Sequence, residues 1–234
     1  MPGPWPIIDV VIPALDEAAS IALVLAELPA DRVRRVVVVD NGSTDGTAGA
    51  ALGAGADVIR ESRRGYGSAC LAGLAELARA GPPDVVVFLD ADHSDHPGEL
   101  LLLVGPIVED VADFVVGSRV LGRREPGALL PQARFGNLLA AWLMRRLYGL
   151  RVTDLGPFRA IRWSTLVGLD MRDTDFGWTA EMQVKAARAG VRYREVPVSY
   201  RKRVGRSKIT GTVRGTVRAG WKILTTVFRH RPLG

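Results

Sequence analysis

The chain has 234 residues, 47% of them hydrophobic and 24% charged, which excludes disordered and collagen-like classes and suits one domain, or one domain with an appendage. The single cysteine, Cys70, excludes an intramolecular disulfide framework, and no apolar run reaches the roughly 18 residues of a spanning helix. Charge is uneven: residues 1–200 carry a net −4, whereas residues 201–234 hold ten Lys/Arg and no acid, a pattern that attracts polyanions or forms a solvated helix face.

The chain starts Met1-Pro2-Gly3-Pro4 with no basic segment ahead of an apolar stretch, so no secretory signal is expected. Ile7–Ile12 is an apolar run broken only by Asp9. Asp16-Glu17 then opens a helical pattern over about 16–28. Val36–Val39 is a β-branched run ending at Asp40. Ser43-Thr44-Asp45 can cap a helix over 45–54. A helical pattern follows over 66–80, and Val85–Leu89 is a third apolar run, ending at Asp90. Pro97 and Glu99 suit the first turn of a helix over 97–109. Phe114–Val116 is a shorter strand candidate. Residues 121–133, rich in Gly, Pro and Arg, read as a lid or as an ordinary surface loop. A further helix is expected over 134–148. Continuous apolar strands alternating with helices predict parallel strands buried on both faces, with ligands bound at their carboxyl ends.

The last helical stretch, about 210–228, aligns Val213, Val217, Trp221, Leu224 and Phe228 in a stripe beside Arg214, Arg218 and Lys222. That is the pattern of a helix lying in a membrane interface, or of one docked on the domain with its cations in water.

Chemistry concentrates at the strand ends. Asp90 and Asp92, two residues apart after an all-apolar strand, can converge on a hard divalent cation; the bland alternative is a capped turn. His93 and His96 lie nearby, but three histidines and one distant cysteine support no zinc site. Asp40, followed by Asn41-Gly42-Ser43-Thr44-Asp45-Gly46-Thr47, can hydrogen-bond a base or ribose. The stretch is neither GxGxxG nor GxxxxGK[ST], which argues against a nicotinamide enzyme and a P-loop kinase. Pro13-Ala14-Leu15-Asp16-Glu17 delivers further carboxylates to the same edge, where a bridging metal would turn an acidic rim into a diphosphate site. The tail offers few aromatics for stacking, which disfavours a nucleic-acid binder.

VVIPALDE, VVVVDNGSTDGT, GYGSACLAG, FLDADHSDHP, VVGSR, RFGN, TDLGPFRA, FGWTAE and GRSK follow in order from Val10 to about Gly211. This series resembles family 2 glycosyltransferases of the GT-A fold, in the branch of dolichyl-phosphate mannose synthase and its bacterial polyprenyl-phosphate relatives. The resemblance implies an α/β, Rossmann-like, mostly parallel sheet flanked by helices. A catalytic domain would span 1–209 and a basic amphipathic helix 210–234. Pro13, Asp16 and Glu17 would line the nucleobase pocket, and Asp40 would hold base or ribose. Asp90 and Asp92 would hold Mg²⁺ or Mn²⁺ on the donor diphosphate. Relatives often place Gln where Ser94 stands, so Asp95 or water would supply the third ligand. Arg119 and Arg134 would bind the acceptor phosphate, with Arg203 and Lys208 clamping phosphates from the C-terminal side. Asp154 and Glu181 would lie near acceptor or sugar; relatives often read SGFR where this chain reads LGPFR. The processive-synthase motif QxxRW is absent.

The implied reaction is inverting, metal-dependent transfer of a hexose from GDP-mannose or UDP-glucose to a polyprenyl or dolichyl phosphate, at the cytoplasmic membrane face by peripheral attachment. The alternative is a soluble enzyme acting on a small hydroxyl acceptor, for which Asp154 or Glu181 would serve as general base.

Overall fold

The computed structural model describes residues 5–205 and 213–229, with backbone alone over 213–219. Among the described residues, seven strands form one sheet: β1 (Ile8–Ala14), β2 (Arg35–Asp40), β3 (Asp57–Arg60), β4 (Val85–Phe88), β5 (Phe114–Ser118), β6 (Arg159–Arg162) and β7 (Tyr193–Pro197). Their spatial order is β3-β2-β1-β4-β6-β5-β7. β1 pairs in parallel with β2 and β4, β2 with β3, and β5 with β7, while β6 runs antiparallel to both its neighbours.

The central strands alternate their buried side chains between two cores. Ile8, Val10, Ile12, Val85 and Val87 face α1 (Ile21–Ala26), α2 (Thr47–Gly53) and α4 (Leu100–Val108). Val11, Val37, Val86 and Phe88 face α3 (Tyr66–Arg79), α6 (Trp163–Leu169) and α7 (Trp178–Arg188), with Phe88 edge-on to Trp178 at 6.1 Å. Asp9, the one acid in the β1 run, is fully buried because Arg34 clamps it: Nε donates to Oδ1 at 2.9 Å and Nη2 to Oδ2 at 2.5 Å. A third core joins α5 (Pro131–Tyr148), α7 and α8 (Val213–Arg229) through Leu143, Met144, Ala180, Val184 and Val227. Among the described residues no helix is long and apolar enough to cross a membrane.

Several expectations are corrected. The first helix begins at Ile21, not at 16, because Asp16 takes a left-handed backbone (φ 51°) and its carboxylate holds Thr44 of the next loop. The segment 121–125 is stitched down: Tyr200 N donates to Arg123 O at 2.8 Å, and Glu125 N to Tyr200 O at 2.9 Å. On α8, Lys222 does not join an exposed basic ridge. It pairs inward with Asp173 at 3.1 Å. Leu224 packs toward the third core, whereas Trp221 and Phe228 are exposed; the side chains of Val213, Arg214, Val217 and Arg218 lie outside the described residues. β3, β6, β7, α6 and α7 are elements that the sequence pattern did not reveal.

Candidate active site

The chain runs outward from β1 to β2 and β3, then returns to place β4 on the other side of β1. This reversal opens a crevice at the carboxyl ends of β1 and β4, the position where open α/β sheets bind ligands. A cleft of about 280 Å³ occupies it. Pro13 lines it from the end of β1, Leu15 and Glu17 after β1, Asn41 after β2, and Asp90 and Asp92 after β4. Arg203 enters from the C-terminal side.

Arg203 joins two acids that are 75 residues apart in sequence. One guanidinium nitrogen donates to Glu17 at 3.0 Å, and the other sits 3.1 Å from Asp92 Oδ2. Asp92 Oδ1 accepts from the Ser94 backbone N at 2.9 Å, which fixes the turn after β4. Asp90 keeps one buried oxygen without a hydrogen-bond partner and receives the Tyr66 hydroxyl. Burial, and then the neighbouring Asp92 charge, push the Asp90 pKa up to about 7 against the pull of Arg203. A crowded pair of carboxylates with an orphaned oxygen is a hard-oxygen donor set that suits Mg²⁺ or Mn²⁺ with substrate and water completing the shell.

Asp95 does not join that pair. Among the described residues no three His, Cys, Asp or Glu come together to hold a metal. The turn at His93 (φ 61°) and the bridge from Asp95 to Tyr200 carry this carboxylate into the interior. There it is 1% exposed with neither oxygen partnered, and burial followed by the Asp90 charge raises its pKa well above the carboxylate range. Asp16 and Asp40 do not line the cleft; they build the loops beside it, Asp16 Oδ1 accepting from Thr44 N at 2.7 Å and Asp40 Oδ1 from Ser43 N at 2.8 Å.

Beyond β4, Arg119 at the end of β5 meets Asp154. Nε and Nη2 donate to the two carboxylate oxygens at 2.8 and 2.7 Å, and the Arg119 backbone N adds a third bond at 2.8 Å. Burial alone would lower the Arg119 pKa; the Asp154 carboxylate outweighs it and holds the guanidinium well above its usual value. Arg119 also lies over the Tyr200 ring at 5.1 Å. Asn137 of α5 grips the Asp154 segment from behind, donating to Thr153 O at 2.8 Å and accepting from Leu155 N at 2.9 Å. Glu181 is buried rather than an exposed helix acid. It accepts from the backbone of Arg172 and Asp173 and pairs with Lys185 at 2.9 Å. Arg134 is exposed on the first turn of α5 and does not line the cleft. Lys208 lies outside the described residues.

Sequence reasoning missed one wall of the cleft: Arg64, Gly65 and Tyr66 with Asp175 and Phe176. The signal was present in Gly65-Tyr66-Gly67. Gly65 has φ +142° and donates its N–H to Asn41 Oδ1 at 2.8 Å. A Cβ there would meet Thr174 O at 2.1 Å, and one at Gly67 would meet Asp173 O at 2.0 Å. Only glycines let the 173–174 backbone press against the start of α3.

Comparison with known proteins agrees with this geometry. The family model described as "Glycosyl transferase family 2" matches residues 9–167. An uncharacterised glycosyltransferase of Mycobacterium tuberculosis is 40% identical over 224 residues, covering 93% of this chain and 98% of that protein. Undecaprenyl-phosphate mannosyltransferase of Micrococcus luteus is 32% identical over 222 residues, 88% of each chain. Among solved structures, glucosyl-3-phosphoglycerate synthase from Mycobacterium tuberculosis, in complex with Mn²⁺, UDP and phosphoglyceric acid, has the same fold. Its TM-score is 0.78 at 24% identity, covering 98% of this chain and 80% of that one. The chain is a glycosyltransferase and belongs to glycosyl transferase family 2.

Proposed function

We propose that this glycosyltransferase moves a hexose from a nucleotide sugar, GDP-mannose or UDP-glucose, to a polyprenyl phosphate in one inverting displacement. The observation that carries the reading is the commitment of both acids nominated as general base. Asp154 is fully buried and spends its oxygens on Arg119, and Glu181 spends its own on backbone N–H groups and Lys185. A hydroxyl acceptor needs a base to take its proton. A phosphate monoester, with a second pKa near 6, arrives largely ionised and needs none. The similarity to undecaprenyl-phosphate mannosyltransferase supports the same choice.

In this reading the nucleobase end lies along Pro13 and Glu17, with Asp16 and Asp40 holding the surrounding loops. Asp90 and Asp92 would hold a divalent cation, which when bound would offset charge on the donor diphosphate. Arg203 and Arg64 add fixed positive charge on two walls of the cleft. Arg119 keeps Nη1 for the acceptor phosphate while Asp154 fixes the other two guanidinium nitrogens. The phosphate oxygen forms the new bond to the anomeric carbon as the bond to the nucleoside diphosphate breaks on the opposite face. Trp221, 71% exposed on α8, supports peripheral attachment at a membrane surface.

The test supplies purified protein with Mn²⁺ or Mg²⁺, a detergent-dispersed short-chain polyprenyl phosphate, and GDP-mannose or UDP-glucose in parallel. Mass spectrometry of the lipid fraction reads the product. A glycosyl phospholipid that disappears with Asp92→Asn supports the proposal and names the sugar. Nucleotide binding with no lipid product, and transfer to a soluble hydroxyl instead, overturns it.

A further inference from the structure

Helix α5 carries two apolar faces. Ala140, Leu143, Met144 and Leu147 turn inward to the third core. Phe135, Leu138 and Trp142, spaced by three and four residues, form a second stripe that is 69%, 62% and 59% exposed. A helix of a water-soluble surface carries polar residues opposite its buried stripe; one that is apolar on both sides has a second apolar neighbour.

The charges around the stripe say which neighbour. Residues 131–148 contain Arg134, Arg145 and Arg146 and no acid, and all three arginines are exposed. A second copy packed by a two-fold axis on this face would set arginine against arginine. An anionic lipid surface accepts both features at once, taking up the rings and pairing with the guanidinium groups. Helix α8, which exposes Trp221 and Phe228, is fastened to α5 through the third core and by the Tyr148 hydroxyl, which donates to Val227 O.

We propose that the outer face of α5 is a membrane-contacting surface in its own right, seating Phe135, Leu138 and Trp142 in the interfacial layer of an anionic bilayer. The inference rests on the lipid-phosphate reading and gives it a direction. The inner side of this helix holds the Asp154 segment through Asn137, and Asp154 holds Arg119. A bilayer seated on α5 therefore lies one helix diameter, roughly 10 Å, from the Asp154 segment that aims the arginine proposed to receive lipid phosphate.

The full chain is tested by co-sedimentation with mixed phosphatidylglycerol–phosphatidylcholine vesicles and with pure phosphatidylcholine vesicles. Binding is expected to favour the anionic vesicles, and the combined Phe135→Ser, Leu138→Ser and Trp142→Ser variant is expected to lose about tenfold or more of that affinity. The same variant should still glycosylate a detergent-dispersed acceptor, so a failure of the proposed reaction appears as no product from the unaltered chain, separately from any change in vesicle binding. Leu138→Cys labelled with an environment-sensitive fluorophore gives an independent reading, since Cys70 is fully buried; a blue shift on anionic vesicles is expected. Unchanged vesicle binding by the triple variant, no shift from the label, or a dimer in sedimentation velocity that the triple variant abolishes would each overturn the proposal.

Discussion

The two halves of the sheet build their charged groups in opposite ways. On the proposed donor side, each acid comes from its own strand or the loop just after it: Glu17 after β1, Asp40 as the last residue of β2, and Asp90 and Asp92 after β4, with Glu17, Asp90 and Asp92 lining the cleft. On the proposed acceptor side, no residue is placed by its own strand alone. Arg119 is aimed by Asp154, the Asp154 backbone N–H bonds Glu195 at 3.2 Å, and the flanking residues hang on Asn137. A site of the first kind tolerates the loss of one side chain and keeps its shape. A site of the second kind is one network and loses shape with function.

Asp92→Asn gives the largest effect on activity and the smallest on the fold. Transfer should fall by about 10³-fold, the scale of removing a principal charge contact in a transition state. The substitution also relieves the repulsion on Asp90, so thermal melting should hold or rise slightly. A variant that melts far below the parent chain would place Asp92 in a network like that of Asp154 and erase the contrast between the halves.

Asp154→Leu should behave in the reverse order. It strands the Arg119 charge, whose side chain is only 12% exposed, at a cost of about 3–5 kcal/mol in urea unfolding. Adding Arg119→Met removes the stranded charge and should restore most of that stability while transfer stays lost. Restored stability together with restored transfer would mean that Arg119 takes no part in the reaction and serves only to hold the β5 end.

The same division explains what was readable in the sequence. Val36–Val39 followed by Asp40, and Val85–Leu89 followed by Asp90, carry both the strand and its cargo within ten residues, so fold class and donor edge follow from local pattern. β6 is four residues long with an arginine at each end, and β7 alternates partly exposed side chains at the sheet edge, so neither shows a continuous apolar run. Helix α7 is buried on nearly every side, with Glu181 and Gln183 inside, and so lacks an amphipathic stripe. Gln183 finds its acceptors outside the helix, donating to Asp154 O and to the Tyr193 hydroxyl, both at 3.0 Å. Asp95 misled for a related reason. Its spacing fits a ligand set, but the turn geometry at His93 and the bridge to Tyr200 belong to tertiary structure.

Glu181→Gln probes the boundary between the halves. Its carboxylate holds the backbone of Arg172 and Asp173; Asp173 and Thr174 press on Gly67 and Gly65, and the residues after them, Asp175 and Phe176, line the cleft wall. The expected result is a loss of about 1–3 kcal/mol in stability and a several-fold rise in KM for the nucleotide sugar, with kcat nearly unchanged. A fall of about 10²-fold or more in kcat with KM unmoved, together with loss of one limb of the pH profile, would instead mark Glu181 as a general base.

The smallest effect is a dependence on pH confined to the donor edge. Asp90 is held near 7 by burial and by Asp92, so it carries a proton over much of the acidic range, where an exposed aspartate would be ionised. A cation entering between the two carboxylates must then displace that proton. Apparent Mn²⁺ affinity, read by calorimetry in the presence of a nucleoside diphosphate, should rise by up to about tenfold per pH unit as pH approaches 7 from below and level off above it. Asp92→Asn removes the like charge, so its plateau should begin at lower pH even though its affinity is weaker. A profile that is flat from pH 5.5 to 8 in the parent chain would mean that the cation does not contact Asp90, and that the donor edge, like the Arg119 network, is held together by its arginine instead.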